Sequence, residues 1–392
     1  MDIQNLAAII FIIILGFALL YQRKKLHVQK IAYPLIYILM YKTKIGLISM
    51  EKAARKIPYL KYIGYAGIFI GFIGMGIISY SLIENLFKVF LVPKAESAVA
   101  LVLPFKVKGA FFVPFFYWII SIFIIVIVHE FSHGVMSRFY NLRIKSSGLA
   151  FLGLIIPILP AAFVEPDEKK LAKKPIEQQL SIFAAGSFSN IMLAIFLAAL
   201  LFFAVSPLVE SITEYDGVLV TGFPNETTSP LKEAGMQEYE VITSIDNITI
   251  TMLENISSYL MQKKPGDKAK VQTNRTSYII ELGKNPQNES VAYLGAYMVQ
   301  STKTKSSFEQ KYGLWLDDVI YWTAGLIIWL FLLNLGIGLF NLAPIPICDG
   351  GRMFYISLLS WFEEKKAQQI WKYVSLFFVL LIIINVSIGF MK

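Results

Sequence analysis

Two of the chain's three histidines stand four residues apart, in His129-Glu130-Phe131-Ser132-His133. On a helix, positions i and i+4 share a face, so both imidazoles can reach one metal ion, and this His-Glu-x-x-His spacing suits a tetrahedral zinc. The carboxylate between them can take a proton from a water activated by such an ion. The surroundings sharpen this reading. Glu130 is the only acidic residue between Glu96 and Glu165 and follows a charge-free run. An ionisable group at membrane depth is costly unless it is paired or bound to metal. The plainer alternative is a solvated helix end with Glu130 neutralised by Arg138 or Arg143.

Catalytic zinc sites commonly use three protein ligands and leave the fourth position open. Asp349 is the only acidic residue between Asp318 and Glu363, and it ends the run Asn341-Leu-Ala-Pro-Ile-Pro-Ile-Cys-Asp-Gly-Gly351. Pro344 and Pro346 cannot continue a helix, and Gly350-Gly351 permits a tight turn, so the segment is expected to turn sharply at the depth of His133. Asp349 then completes a set of two histidines and one carboxylate; alone, it would read as a helix or turn cap. Cys348 is a soft donor beside it and is assigned to packing. His27 lies in the basic run Arg23-Lys-Lys-Leu-His27 and is expected in solvent or among headgroups.

The elements that must position these residues are membrane spans. Of 392 residues, 56% are hydrophobic and only 16% charged, with a mean hydropathy of +0.59, which disfavours a purely soluble globular chain. A span needs about 20 apolar residues. Charge-free windows run from Ile3 to Gln22, Tyr62 to Ile83, Gly109 to Val128, Gln178 to Val209, Val319 to Cys348 and Tyr373 to Met391. The first has no small-residue cleavage site and reads as an anchor. Ile31 to Tyr41 is too short to span. Ser146 to Val164 carries Gly148, Gly153, Pro157 and Pro160, which point to a re-entrant or strand-like segment buried in the protein.

Alternating sides gives loops 21–61, 138–177 and 343–372 with 21 Lys/Arg against 8 Asp/Glu, and loops 84–108 and 210–318 with 14 against 17. The first set is expected in the cytoplasm. The net charge of +9 is therefore a topology signal, which removes support for a nucleic-acid partner. Both termini and the polar stretch near 210–310 are expected outside. That stretch holds the sequons at Asn225, Asn247, Asn255, Asn274 and Asn288, in agreement with an outward placement. The single cysteine excludes an internal disulfide.

Three motifs in order resemble the site-2 protease family of intramembrane zinc metalloproteases. They are the His-Glu-x-x-His of 129–133, the Ala-Ala-Gly-Ser-Phe-Ser-Asn run of 184–190, and the stretch 341–351. The resemblance covers roughly 110–355 and departs from the family where Ser187 replaces a proline that often follows the glycine. It implies that His129, His133 and Asp349 bind one Zn2+, that Glu130 activates water, and that Asn190 helps hold substrate or the polarised carbonyl. It also implies a membrane-embedded strand or loop near Pro157, Pro160 and Val164-Glu-Pro-Asp167. The order of Gly217-Val-Leu-Val-Thr, Ser229 to Gly235, Val241 to Asn247, Asn255 to Lys263 and Pro265-Gly-Asp267 resembles a PDZ domain, a fold that binds peptide ends by strand addition.

The fold class expected is a polytopic α-helical membrane protein of about six transmembrane helices, with a re-entrant or strand segment near the active site and an inserted extracytoplasmic α+β PDZ-like domain. Its parts are 1–108, the anchor helices and basic loop; 109–209, the first part of the catalytic core; 210–310, the inserted domain; and 311–392, the second part of the core. The expected activity is hydrolysis of a peptide bond within, or at the cytoplasmic edge of, a substrate's transmembrane segment in regulated intramembrane proteolysis. Partners would be membrane-spanning proteins such as tethered regulators, the lipid bilayer, and a peptide terminus in the PDZ-like domain. Alternatives are a membrane metal transporter, which would need polar residues along the depth of the spans, and an inactive membrane scaffold. A prenyl-protein endopeptidase would leave the Asp-Gly-Gly segment and the insert unexplained. General likeness points to a prokaryotic, archaeal source.

Overall fold

The computed structural model describes residues 3–32, 36–91, 99–154, 156–224 and 229–391; the Asn225 sequon lies outside them. The chain divides into two compact units, Met1–Leu201 with Ala324–Lys392, and Phe202–Thr323.

The first unit opens with α1 (Ile3–Tyr21), β1 (Leu26–Ala32), β2 (Ile36–Thr43), α2 (Leu47–Lys56) and α3 (Leu60–Leu91). The parallel pair β3 (Leu101–Leu103) and β4 (Ala110–Phe112) leads to α4 (Phe115–Phe139). Pro114 starts α4 where a missing N–H costs nothing, and the run to Val128 is apolar on every side, as a helix surrounded by lipid and protein must be. Strands β5 (Ile144–Leu154) and β6 (Ile156–Pro166) follow, then α5 (Glu168–Leu171) and α6 (Ile176–Leu200).

The four strands form one antiparallel sheet in the order β1-β2-β5-β6. The segment expected to be re-entrant or strand-like is therefore a hairpin, with Ser147 opposite Val164 and Phe151 opposite Pro160. The prolines are tolerated because β6 is an edge strand. The described residues of the short stretch Ile31 to Tyr41, ambiguous in sequence, belong to β1 and β2, and β2 continues the sheet by pairing Thr43 with Ser147. Nothing local announces this, because the pairing partner is about a hundred residues away.

The second unit begins within a π-helical turn, Leu201–Val205. It holds α7 (Ser206–Ile212), β7 (Thr213–Gly222), α8 (Pro230–Glu233), β8 (Val241–Ile245), β9 (Ile248–Thr249), α9 (Leu253–Met261), β10 (Lys268–Thr273), β11 (Ser277–Glu281), β12 (Gly283–Asn285), β13 (Asn288–Tyr293), β14 (Tyr297–Thr304) and α10 (Ser306–Tyr312). The main sheet runs β11-β10-β8-β7-β14, and β12 pairs with β13. Strict alternation in Lys268–Thr273 turns Ala269, Val271 and Thr273 inward. Asp246 and Asn247 both have positive φ, as a two-residue hairpin loop between β8 and β9 requires. Val218, Ile242, Ile245, Val271 and Leu294 form its core.

Helix α11 (Leu314–Phe340) returns the chain to the first unit, and a loop leads to α12 (Asp349–Leu359) and α13 (Glu364–Met391). Six helices among the described residues are long and apolar enough to cross a membrane: Gln4–Tyr21, Leu60–Val89, Phe115–Phe139, Ile176–Ile212, Trp315–Phe340 and Glu364–Phe390. With large side chains such as Phe17, Phe69, Phe123 and Phe377 exposed around them, this is an integral membrane protein with an inserted α+β domain.

Candidate metal centre

The His-Glu-x-x-His run is on the last turns of α4, with both imidazoles on one face. Asp349 opens α12 because the loop before it folds back on itself: the Gly350 N–H donates to the Asn341 carbonyl at 2.8 Å. A Cβ on Gly350 would strike the Leu342 backbone and one on Gly351 the Ile345 backbone, so this turn accepts only glycine at both places. Helix α13 holds the loop from the far side. Ser375 Oγ donates to the Pro344 carbonyl at 3.0 Å, and Trp371 Nε1 to the Gly351 carbonyl at 2.9 Å.

These elements bring together three residues far apart in sequence. His129 Nε2 and His133 Nε2 are 3.1 Å apart, and each is 3.1 Å from Asp349 Oδ2. Ligands about 2.0 Å from a tetrahedral zinc stand about 3.3 Å from one another, so the triangle fits such an ion. The chemistry of the donors fits as well. His133 Nδ1 donates to the Ile182 carbonyl at 2.7 Å, which fixes its proton there and turns the Nε2 lone pair toward the carboxylate. His129, His133 and Asp349 form a group that could hold a metal ion.

Helix α6 lies behind the histidines. A Cβ on Gly186 would meet Nε2 of both, so the glycine is what lets α6 pack at this depth. Ser187 Oγ is 3.5 Å from Asp349 Oδ2, and the Asn190 amide faces His129 Nδ1. Glu130 accepts from the Val164 N–H of β6 at 2.8 Å. Glu130, Asn190 and the triad line one cavity of about 350 Å³, with Phe163 and Val164 on its strand wall and Asn341 and Arg352 across from them.

The alternative partners for Glu130 do not engage it: Arg138 pairs with Glu51 at 3.4 Å. Cys348 is buried against Leu82, Ala343 and Phe378 and is not one of the three clustered donors. His27 is exposed on β1. Sequence reasoning did not single out the Val164 amide or the Ile182 carbonyl, and it gave Gly186 only as part of a motif, with no role. The first two act through backbone atoms and Gly186 through a missing side chain, so residue type carries little signal for what they do.

Six apolar helices among the described residues, and a group of two histidines and one aspartate that could hold a metal ion, define a membrane protein with a candidate metal centre. The chain belongs to Peptidase family M50, the site-2 protease family, whose model matches residues 117–382. It is 28% identical over 239 residues to an uncharacterized protein of Methanocaldococcus jannaschii, a match covering 61% of this chain and 56% of that one. The chain thus spans about half the length of that curated relative. The PDZ domain of the SdrC-like protein from Listeria monocytogenes is 22% identical, over 22% of this chain and 90% of that one, with a TM-score of 0.19.

Proposed function

We propose that the protein is an intramembrane zinc metalloendopeptidase that cuts membrane-spanning proteins within, or at the cytoplasmic edge of, a transmembrane segment. The observation that carries this reading is the 3.1 Å triangle of His129, His133 and Asp349 in one cavity with Glu130. One Zn2+ held by the three would polarise a peptide carbonyl and acidify a water. Glu130, in the same cavity, takes the proton from the attacking water and delivers it to the leaving nitrogen.

A helical substrate hides its carbonyls in its own hydrogen bonds, so it must unwind before it can react. Strand β6 supports that step. Val164 sends its N–H away from β5 to Glu130, and by the two-residue period of a strand Ala162 turns its N–H and carbonyl to the same side. An unwound segment can pair there as a further strand, alongside the triad.

The excess of Lys and Arg in loops 21–61, 138–177 and 343–372 supports a cytoplasmic placement for the site, with the 210–310 domain and both termini outside. In this reading the outer PDZ-like domain screens substrates by the size or free end of their outer portions, as regulated release of a tethered factor requires. Purified protein reconstituted with a model transmembrane substrate tests the mechanism. Glu130→Gln should abolish cleavage and retain zinc; cleavage at the wild-type rate would sink the assignment.

A further inference from the structure

Both imidazoles of the triad are approached from α6. Ile182, Gly186 and Asn190 are spaced by four and so share one face of that helix. The Ile182 carbonyl accepts from His133 Nδ1 at 2.7 Å, and Gly186 leaves room for both Nε2 atoms. Asn190 is fully buried, with its amide nitrogen 3.3 Å from His129 Nδ1. Its amide oxygen, also buried, has no hydrogen-bond partner among the described residues.

A neutral imidazole has one N–H and one lone pair. If Asn190 donates to Nδ1, the His129 proton is on Nε2, facing Asp349 Oδ2 at 3.1 Å, and no lone pair is left there for a metal. If Nδ1 carries the proton, Nε2 can ligate, but Nδ1–H then meets a second donor. The two ends of a carboxamide have nearly the same shape, so a half-turn of the group exchanges them. That turn brings the orphan oxygen to Nδ1–H and gives it a partner.

We infer that Asn190 is a positioning residue for His129: its buried amide oxygen accepts the Nδ1–H and so holds the imidazole in the tautomer and orientation whose Nε2 binds the metal. The inference rests on the proposed ligand set of His129, His133 and Asp349. It differs from the sequence expectation in that Asn190 acts through a ligand and does not touch the substrate. Helix α6 then supplies the outer hydrogen bond to both histidines, one from backbone and one from side chain, as metal-bound imidazoles generally require.

The test is the zinc affinity of the full-length protein in detergent, titrated against a competing chelator, for wild type, Asn190→Leu and Asn190→Asp. The leucine variant is expected to bind zinc about 10- to 100-fold more weakly. The aspartate variant should bind at least as tightly as wild type, because a carboxylate can only accept. Excess zinc should restore cleavage to the leucine variant with an unchanged KM. An aspartate variant that loses zinc like the leucine variant would show that Asn190 is needed as a donor and overturn the inference. So would wild-type zinc affinity in the leucine variant together with a raised KM, which would return Asn190 to the substrate. Should the leucine variant not fold, the aspartate variant against wild type decides alone. Failure of the ligand set reads differently: wild type would bind no zinc, or His133→Ala would bind it unchanged, and the role of Asn190 would fall with it.

Discussion

A methyl group at residue 186 would occupy the space now held by the two Nε2 atoms of the triad. Gly186→Ala is thus a sharp probe of the site. Alanine suits a helix interior better than glycine by about 1 kcal/mol, so α6 itself gains while the imidazoles are pushed out of line. The expected outcome is a zinc affinity lowered at least about tenfold with no loss in thermal midpoint of the zinc-free protein. Chelator titration and a melting curve read both; unchanged affinity would remove Gly186 from the site. The residues of the candidate site stood out in sequence because their chemistry is unusual for their surroundings: Glu130 and Asp349 are isolated acids among apolar residues, and His129 and His133 flank the first. Gly186 was legible only as part of a motif, since a glycine's role depends on what packs against it. Asn190 was visible as a site residue, but its contact with His129 follows from how α4 and α6 pack, and no spacing within one helix encodes that.

At the scale of elements, the hairpin β5–β6 is what separates this centre from a bare pair of metal-binding helices. Glu165, next to the Val164 whose N–H meets Glu130, accepts from Lys42 Nζ at 2.8 Å and from Ser146 Oγ at 2.6 Å. The Lys42 hydrogen bond, first among these causes, holds the Glu165 carboxyl below its usual range. The pair is about one-third exposed, so it contributes under about 1 kcal/mol, and the sheet rests mainly on its backbone ladder. Ala162→Pro removes an N–H that faces away from β5 and introduces a residue that edge strands tolerate. It should leave zinc content and folding as they are and cut cleavage of a transmembrane substrate by at least about tenfold, the equivalent of one lost backbone hydrogen bond to a substrate strand. Cleavage at the wild-type rate would mean that substrate does not pair with β6. Sequence showed that 146–164 could not be a plain helix, from its glycines and prolines. It did not show β1 and β2, because a sheet's partners are set by register over long separations.

At the scale of the whole molecule, the two units have separate cores, and their charges tell different things. In the inserted unit, burial by itself raises the Glu240 carboxyl, but hydrogen bonds from Thr273 Oγ1 at 2.7 Å, Tyr278 Oη at 2.8 Å and the Gln237 N–H at 3.1 Å outweigh it and hold the group below its usual range. The unfolded chain therefore binds this proton more readily than the folded one. The stabilisation is fully present above the ordinary carboxylate value, near about pH 4.3, and is lost as pH falls through the folded value. Glu240→Gln, which does not titrate, should be less stable than wild type at neutral pH, and the two should converge in acid. Susceptibility of 210–310 to pepsin from about pH 5 downward reads this, and a constant gap between the two proteins would refute it. Across the membrane, the charges predict sidedness. All of the acidic excess in its set of loops comes from the inserted unit, so one count predicts both an outside domain and a cytoplasmic metal centre. Cys348 is buried and gives little background reaction, which allows single-cysteine reporters. In intact cells, a membrane-impermeant maleimide should label Lys284→Cys, whose side chain is exposed in the inserted unit, and should label Lys44→Cys only after permeabilisation. The reverse pattern would move the catalytic residues to the outer side, and with them the site of release for any tethered substrate.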